Sequence, residues 1–359
     1  MGRPKNKTVA VICAWRKGED DLDATMESAK KSAPKKAMFY TVEDKGDGSP
    51  AKTRHKGIIQ SVGDIIIIID AHMRFKDDAL TIMAKHAEKK GLCCAITHHN
   101  EKCEFSKDKR YFGARMTYKV IDRGQHLALV GKWTDARKAG EVSCVMGGAY
   151  AFTREWYYKV GQPLAMLEGW GGDEESLSIA SWLSGQMPHC VDAEIAHRYR
   201  PNPPWQVTEL EKRNARFSRL AVIHATVPLD SQKRDLIEWS RKDTPFDSPY
   251  IPTKECLRVQ KEWLELPRRY EQWIKEVCGK AEECQQIPII QPPRQPNKVI
   301  VVDGVTCTNH NCRLTLDKFP VKDTKEYPNG NISRLHICPS CCTAFRTMFY
   351  AKNSANKVL

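Results

Sequence analysis

The sequence predicts an α/β fold with a mostly parallel central sheet over residues 1–222. Short apolar runs rich in β-branched residues alternate with polar stretches suited to helices, which is the pattern of parallel βαβ units. The run Asp64–Asp70 (DIIIIID) is apolar without alternation, as expected for a central parallel strand buried on both faces of a sheet. At 359 residues the chain also exceeds what one core usually supports, so an additional smaller module is expected.

The elements of this region follow from local patterns in chain order. Thr8–Trp15 and Ala37–Val42 are the first two predicted strands. Ser49 and Pro50 have the residue types of a helix N-cap and a first helical position, so a helix should begin there and continue to Val62. The same signals predict a helix over Asp77–Lys89, strands over Cys93–Thr97 and Ala149–Phe152, and helices over Ser176–Ser184 and Glu209–Val222.

The other segments have different compositions. Residues 105–145 are basic and poor in helix signals, with a turn-like DRGQ at 122–125, and predict hairpins or a mobile insertion over the site. Residues 223–284 contain amphipathic stretches and predict a helical extension. Residues 285–298 (QQIPIIQPPRQPNK) have the proline content of a semi-rigid linker, so residues 299–359 should form a separate C-terminal module.

Charge and hydropathy limit the classes of partner and compartment. The formal net charge is +13, which favours a polyanionic partner such as nucleic acid, an anionic membrane surface or a phosphorylated substrate. No apolar run approaches the roughly 20 residues of a membrane helix, and the first residues contain no secretory hydrophobic region. A cytoplasmic location is therefore expected, with most of the fourteen cysteines reduced and buried singly.

The tripeptide Asp70-Ala71-His72 lies at the carboxyl end of the buried strand, where ligands of open α/β sheets bind. If the strand continues through it, residues 70 and 72 point the same way and bring a carboxylate and an imidazole together. Such an oxygen and nitrogen set suits Mn²⁺ better than Mg²⁺, which prefers oxygen ligands. By itself this tripeptide is a weak signal.

Three further motifs make the signal specific. GGAYAF (147–152), LEGWGGDEESLSIASW (167–182) and IAHRYR (195–200) follow the tripeptide in this order. With these motifs the chain resembles GT-A glycosyltransferases related to the polypeptide N-acetylgalactosaminyltransferases and to the inverting sugar transferases of bacteria. The resemblance covers roughly residues 8–222, and it implies a GT-A (Rossmann-like) catalytic domain that uses a UDP-sugar.

The resemblance implies a role for each matching residue. Asp70, His72 and His197 would hold Mn²⁺ or another divalent cation, which neutralises the diphosphate as the sugar is released. Arg54 would contact the diphosphate side, and Asp44 would contact the uracil. Gly148 and Arg200 would also lie in the nucleotide-sugar site.

The acidic segment around the Trp-Gly-Gly turn would provide the catalytic groups. Trp170 offers an apolar face to a sugar, and Asp173 matches the glutamate of the WGGE motif of the N-acetylgalactosaminyltransferases. Glu174 falls where inverting relatives place the carboxylate that deprotonates the acceptor hydroxyl. Because the chain shares features with retaining and inverting relatives, the anomeric outcome stays open.

The C-terminal module contains two cysteine pairs. Cys307 and Cys312, with Cys338 and Cys341, could close a tetrahedral structural zinc site of the zinc-ribbon type. Cys342 or His310 could replace one of these ligands. Lysines, arginines and aromatic residues around the pairs are suited to nucleic acid, and packing on the catalytic domain is the alternative.

These observations favour hydroxymethylated pyrimidines in DNA as the acceptor, as for viral DNA-modifying glycosyltransferases, and hence a bacteriophage origin. Phosphate contacts are expected from a basic helix, at Lys212, Arg213, Arg216 and Arg219. Alternative acceptors are a cytosolic protein, a lipid-linked glycan or a cell-envelope precursor. A further alternative is a non-catalytic nucleic-acid-binding protein on a transferase fold. The sugar, the strandedness of the DNA and the oligomeric state stay open.

Overall fold

The computed structural model describes most of the chain in several ranges. They are residues 7–19, 21–45, 49–106, 109–121, 126–134, 138–200, 207–226 and 252–268, with the backbone of five short strands between 305 and 349. The chain divides into two compact units, residues 1–289 and 290–359.

The larger unit alternates strands and helices, as the sequence predicts. Its strands are β1 (Val9–Arg16), β2 (Met38–Asp44), β3 (Ile65–Asp70), β4 (Met73–Phe75), β5 (Cys93–Asn100), β6 (Arg110–Tyr111), β7 (Ala114–Ile121), β8 (His126–Trp133), β9 (Gly140–Glu141), β10 (Tyr150–Thr153) and β11 (His189–Arg198). Its helices are α1 (Leu22–Ser32), α2 (Pro50–Gln60), α3 (Ala79–Lys90), α4 (Arg154–Lys159), α5 (Asp173–Leu183), α6 (Glu209–Thr226) and α7 (Lys254–Leu264), and a 3₁₀ turn spans Pro163–Met166.

The central sheet has the order β2-β1-β3-β10-β5-β11-β4. The longer pairings, β1 with β2, β1 with β3 and β5 with β11, are all parallel, which confirms the predicted α/β class. The central strand β3 differs from the prediction in one respect. Its second neighbour, β10, runs antiparallel to it and separates it from β5. No sequence pattern indicated this direction, because a short buried strand has the same composition in either orientation.

The isoleucine run of β3 anchors the sheet between two layers of helices. Ile66 and Ile68 pack on one face with Ile58 of α2, while Ile67 and Ile69 pack on the other face with helices α1 and α3. These four isoleucine side chains are fully buried. Burial on both faces therefore holds the carboxyl end of β3, and with it Asp70, in a defined position.

Two predicted local features are present. The Ser49 hydroxyl accepts a hydrogen bond from the backbone N–H of Lys52 at 3.2 Å, and Pro50 is the first residue of α2. Within residues 105–145, β7 and β8 pair as an antiparallel hairpin. The predicted turn at 122–125 lies outside the described residues.

Helix α6 continues past position 222, where the sequence placed the end of the catalytic domain. Its C-terminal half packs against α7, and Gln260 of α7 donates to the His224 carbonyl at 3.1 Å. Trp263 of α7 donates to the Val160 carbonyl at 3.0 Å. Both helices thus contribute to the core of the larger unit. The rest of the predicted helical extension and the linker 285–298 lie outside the described residues.

The smaller unit is described by its strands alone. They are β12 (Val305–Thr306), β13 (Thr315–Leu316), β14 (Val321–Glu326), β15 (Ile332–Ile337) and β16 (Ala344–Phe349). The first two form an antiparallel pair, and the last three form an antiparallel sheet. The four predicted zinc ligands lie outside the described residues. Among the described helices of the chain, none combines the length and the hydropathy of a membrane span.

Candidate active site

Asp70, His72 and His197 meet because of the way the chain leaves β3. Asp70 is the last residue of β3, and the chain then bends and forms β4, which pairs antiparallel with β11. The Arg198 N–H donates to the His72 carbonyl at 3.1 Å, which joins the bend to the end of β11. The side chains at 70 and 72 converge as predicted, but across a bend. The extended strand assumed in the prediction is wrong.

The three side chains have the spacing of ligands around one ion. Their ligand atoms lie within 4.8 Å of one another. His197 Nε2 is 3.5 Å from Asp70 Oδ2, which is too long for a strong hydrogen bond, and the rings of His72 and His197 are 4.9 Å apart. His197 Nδ1 is buried without a hydrogen-bond partner among the described residues.

The protonation states suit a cation. Burial lowers the pKa of His197, so its imidazole is neutral and able to bind a metal at neutral pH. Burial by itself would raise the pKa of Asp70, but the charge of Arg54 and the contact with His197 outweigh it and hold that pKa below its usual range. One carboxylate and two imidazoles fit Mn²⁺ and similar divalent cations. Such an ion would act as a Lewis acid on a diphosphate leaving group.

Gly148, which precedes β10, leaves the space in which these ligands meet. Its φ angle is +76°, and a Cβ built on it would overlap Asp70 Oδ2 and lie 3.4 Å from His197 Nε2. Since β10 enters the sheet between β3 and β5, a side chain here would fill the gap between Asp70 and the end of β11. Glycine is therefore required for both backbone conformation and ligand access.

Gly148→Ala is expected to weaken Mn²⁺ binding at least tenfold, because the new methyl group displaces the Asp70 carboxylate. Isothermal titration calorimetry with MnCl₂ measures this change. Gly185→Ala is the matched control, since Gly185 also has a positive φ (+99°) but has no atom closer than 4.0 Å to the added Cβ. Both variants should lose about 1 kcal/mol of stability from the strained backbone. Unchanged Mn²⁺ affinity in Gly148→Ala would contradict this placement of the ion.

Arg54 joins Asp70 to Asp173 across the site. Its two terminal nitrogens bond separately to Asp70 Oδ1 and to Asp173 Oδ2. Arg54 and Asp173 are only 6% and 7% exposed, so this is a buried network. A guanidinium can reach both carboxylates because its donors form a planar fork. Arg54 and Asp70, which the resemblance assigns to the donor and its cation, therefore hold each other in place.

Two acidic residues that the sequence interpretation missed lie beside the cation-binding side chains, and one of them, Glu19, orients His72. Glu19 Oε2 lies 3.2 Å from His72 Nδ1 and accepts from Arg200 at 2.8 Å, which leaves His72 Nε2 available for a metal. Asp21 pairs with Arg198 at 2.6 Å. Both follow β1 at the carboxyl edge of the sheet. The acidic run after β1 could have been recognised, because ligands of such sheets bind at that edge.

Glu174, the predicted base, is at the start of α5 in a confined setting. It accepts a hydrogen bond from the Tyr150 hydroxyl at 2.6 Å and lies 3.3 Å from the Gly147 N–H. Burial, followed by the charge of Glu175, raises the pKa of Glu174 to about 7. A carboxyl group with a pKa near the working pH is suited to proton transfer.

The remaining predicted donor and catalytic residues are spread around this centre. Trp170 is 64% exposed, so its indole ring faces solvent. Asp44 is half-buried at the end of β2, opposite Arg16 of β1. Arg200 is held by Glu19. Asp44 therefore lies at the β2 edge of the sheet, away from the cation-binding side chains. Arg200 lies close to them, because Glu19 pairs with both Arg200 and His72.

The predicted basic residues of α6 face the protein as well as solvent. Lys212 is exposed, whereas Arg213, Arg216 and Arg219 are half-buried. Helix α6 packs on the Trp-Gly-Gly turn, where the Ser218 hydroxyl accepts from the Gly169 N–H at 2.7 Å. These arginines therefore lie along the helix that borders the candidate active site.

The fold and the arrangement of this site are similar to those of GT-A glycosyltransferases. Residues 10–161 match the family model of Glycosyl transferase family 2. The crystal structure of GalNAc-T7 with UDP, GalNAc and Mn²⁺ superimposes with a TM-score of 0.54 at 15% identity, over 76% of this chain and 57% of that chain. The GT-A fold predicted from the motifs is thereby confirmed.

Curated relatives match part of the chain. Polypeptide N-acetylgalactosaminyltransferase 10 of Rattus norvegicus is 26% identical over 166 residues, which is 44% of this chain and 27% of that protein. Chondroitin synthase of Escherichia coli is 25% identical over 111 residues, or 31% of this chain and 16% of that protein. The chain thus spans about a quarter of the length of the first of these relatives and less of the second.

Proposed function

We propose that the protein is a metal-dependent glycosyltransferase that moves a sugar from a UDP-sugar to the hydroxyl group of a hydroxymethylated pyrimidine in DNA. The observation that carries the transferase part is the convergence of Asp70, His72 and His197 beside Gly148 at the carboxyl edge of the sheet. A cation held there would neutralise the leaving UDP. The GalNAc-T7 structure with UDP and Mn²⁺ supports the same donor and ion for this chain.

The DNA acceptor is supported by charge. The net charge of +13 and the arginines of α6 beside the Trp-Gly-Gly turn suit a polyanion that approaches the site. Glu174 would take the proton of the acceptor hydroxyl. A bacteriophage source and action in the host cytoplasm would give such an enzyme access to its DNA. We further propose that Cys307, Cys312, Cys338 and Cys341 hold a structural zinc ion in the C-terminal module.

One experiment tests the acceptor directly. The full chain is incubated with Mn²⁺ and UDP-sugars, and hydroxymethylated DNA, unmodified DNA and serine- or threonine-containing peptides are compared as acceptors by mass spectrometry. A sugar adduct on hydroxymethylated DNA alone is expected. The name of the mammalian relatives supports a polypeptide hydroxyl as the second candidate, and an adduct on the peptides alone would favour it. Absence of any adduct and of UDP release would overturn the enzymatic function.

Binding to DNA is expected to weaken steeply with salt. If about six phosphates are contacted, the affinity should fall roughly a thousandfold between about 50 and 200 mM salt. Fluorescence anisotropy of a labelled oligonucleotide measures this slope. Lys212→Ala should reduce the slope by about one phosphate contact, because Lys212 is the exposed member of the α6 group. A flat salt profile would argue against a nucleic-acid acceptor.

A further inference from the structure

Four aromatic side chains form a cluster beside the cation-binding residues, and the donor site described above does not use them. The aromatic cluster consists of His99, Tyr111, Trp133 and Tyr199. Tyr111 and Trp133 stack with ring centroids 4.6 Å apart. His99 lies edge to face with Trp133 at 5.6 Å and is tilted against the Tyr199 ring at 5.1 Å. Such spacings are those of directly packed rings.

The aromatic cluster lies on the side of the ion that faces away from the predicted uracil contact. His99 is at the end of β5, directly opposite His197 of β11, and their rings are 5.1 Å apart. Asp44 is at the end of β2, at the other end of the strand order. A donor with its base near Asp44 and its diphosphate near Asp70 therefore points its sugar toward the aromatic cluster. That is the side from which an acceptor must approach.

The aromatic cluster is partly exposed to solvent, and one of its polar atoms has no hydrogen-bond partner among the described residues. His99, Tyr111 and Trp133 are half-buried, and Tyr199 is 46% exposed. The Nδ1 atom of His99 is buried and has no hydrogen-bond partner within the described ranges. Exposed aromatic faces next to an unpartnered polar atom are suited to a planar ligand with polar edges.

The hairpin that carries Trp133 is positively charged. Arg115 of β7 and Lys132 of β8 are both exposed and lie directly opposite each other. Two exposed cationic side chains therefore lie on the hairpin that carries Trp133. Lys109, next to β6, is also exposed. Phosphates of a nucleic acid match this charge, whereas a neutral glycan would not.

We propose that the aromatic cluster is the acceptor subsite and that it stacks on the face of an unpaired pyrimidine base. This inference rests on the proposed function, because it assumes that the acceptor is a nucleic acid. The base would stack on the outer face of the Tyr111–Trp133 pair, with His99 beside its edge and the cationic hairpin near its phosphates. Stacking of this kind tolerates different bases and requires that the nucleotide be unstacked from its neighbours.

The test measures binding of two probes to the full chain in the presence of Mn²⁺. The first probe is a fluorescein-labelled single-stranded oligothymidylate, and the second is UDP. Trp133→Leu keeps an apolar side chain but removes the aromatic face, and it is expected to weaken oligothymidylate binding at least tenfold. UDP affinity should change by less than twofold, because UDP lacks the sugar that would point toward this cluster. Trp133→Phe keeps a ring and should bind oligothymidylate nearly as well as the wild type.

Tyr158→Leu is the matched control. Tyr158 is also an exposed aromatic residue (44%). It lies on α4, which begins where β10 ends, beside the first residue of β3 and therefore at the edge of the sheet away from Asp70. It should bind both probes like the wild type. If Trp133→Leu proves unfolded by circular dichroism, Tyr111→Leu removes the stacking partner and gives the same test.

The outcomes separate this inference from the proposed function. Equal oligothymidylate binding in Trp133→Leu, Tyr158→Leu and the wild type would overturn the acceptor subsite, even if DNA glycosylation is observed. Loss of binding to a neutral oligosaccharide such as cellotetraose in Trp133→Leu, with oligothymidylate binding unchanged, would also overturn it in favour of a glycan. Trp133-dependent binding of oligothymidylate without any DNA glycosylation would support the base-stacking subsite and refute the proposed acceptor.

Discussion

Replacing His72 and His197 together by alanine is expected to abolish Mn²⁺-dependent hydrolysis of UDP-sugars, with a loss of at least about a thousandfold. The two imidazoles supply two of the three donor groups of the candidate metal site, and one carboxylate alone binds Mn²⁺ weakly. Without the ion, the charge on the leaving UDP is not neutralised, which costs several kcal/mol of barrier. Release of UDP with and without EDTA, together with Mn²⁺ titration calorimetry, measures both effects.

A second pair of histidines provides the control. His86 of α3 and His189 at the start of β11 have ring centroids 4.8 Å apart, nearly the same as the 4.9 Å between His72 and His197. They lie at the amino end of β11, away from Asp70. The double variant His86→Ala/His189→Ala should keep its Mn²⁺-dependent activity. Undiminished activity in the His72/His197 variant would refute the metal assignment.

Glu174→Gln is expected to reduce sugar transfer by about 100-fold or more and to raise the stability of the fold above pH 7. Glutamine still accepts the hydrogen bond from the Tyr150 hydroxyl, so the geometry is kept, but it cannot take a proton from the acceptor. In the wild type, transfer should increase as the pH rises through about 7, since burial and Glu175 raise the pKa of Glu174 to about 7.

The sign of the stability effect follows from the raised pKa. The folded state keeps the Glu174 proton up to about pH 7, whereas the unfolded chain loses it near 4.5. Rising pH therefore destabilises the wild type across this window, by about 3 kcal/mol when complete. Glutamine removes this cost, so the difference in Tm between variant and wild type should be near zero at pH 4 and positive at pH 8.

The exposed Glu88 of α3 provides a control with the same change of net charge. Glu88→Gln should leave both the activity and the pH dependence of the Tm unchanged. Full transfer activity in Glu174→Gln would remove it as the base, even if the Tm rises as expected. A Tm difference that is the same at pH 4 and pH 8 would show that the fold does not raise the pKa of Glu174.

The order of elements in the larger unit could be predicted because each strand carries its own local signal. The isoleucine run of β3 and the Ser49-Pro50 start of α2 are patterns within a few residues. The direction of β10 could not be predicted, since Tyr150–Thr153 is too short to carry an orientation. The same holds for α7, whose packing on α6 depends on residues more than thirty positions apart in the chain.

In the candidate site, too, some features have local sequence signals and others depend on contacts between distant residues. Asp70, His72 and His197 were identified by motif order, although the sequence suggested an extended strand where the chain bends. Their mutual distances depend on β4 crossing to the far edge of the sheet. Glu19 was missed although its place in the acidic run after β1 is visible in the sequence, whereas its contact with His72 is set only by the fold. The aromatic cluster was missed because its rings come from segments that are distant in sequence.

The sequence by itself thus determined the α/β class, the residue types that could bind a divalent cation, and their order along the chain. The tertiary structure decided which side chains meet, that Arg54 bridges two carboxylates, and that Glu174 is buried enough to hold a proton near neutral pH. The physical reason is the distance along the chain over which each interaction acts. Periodicity and capping act over a few residues, whereas burial, ion pairing and ligand spacing arise only when strands far apart in the chain lie side by side.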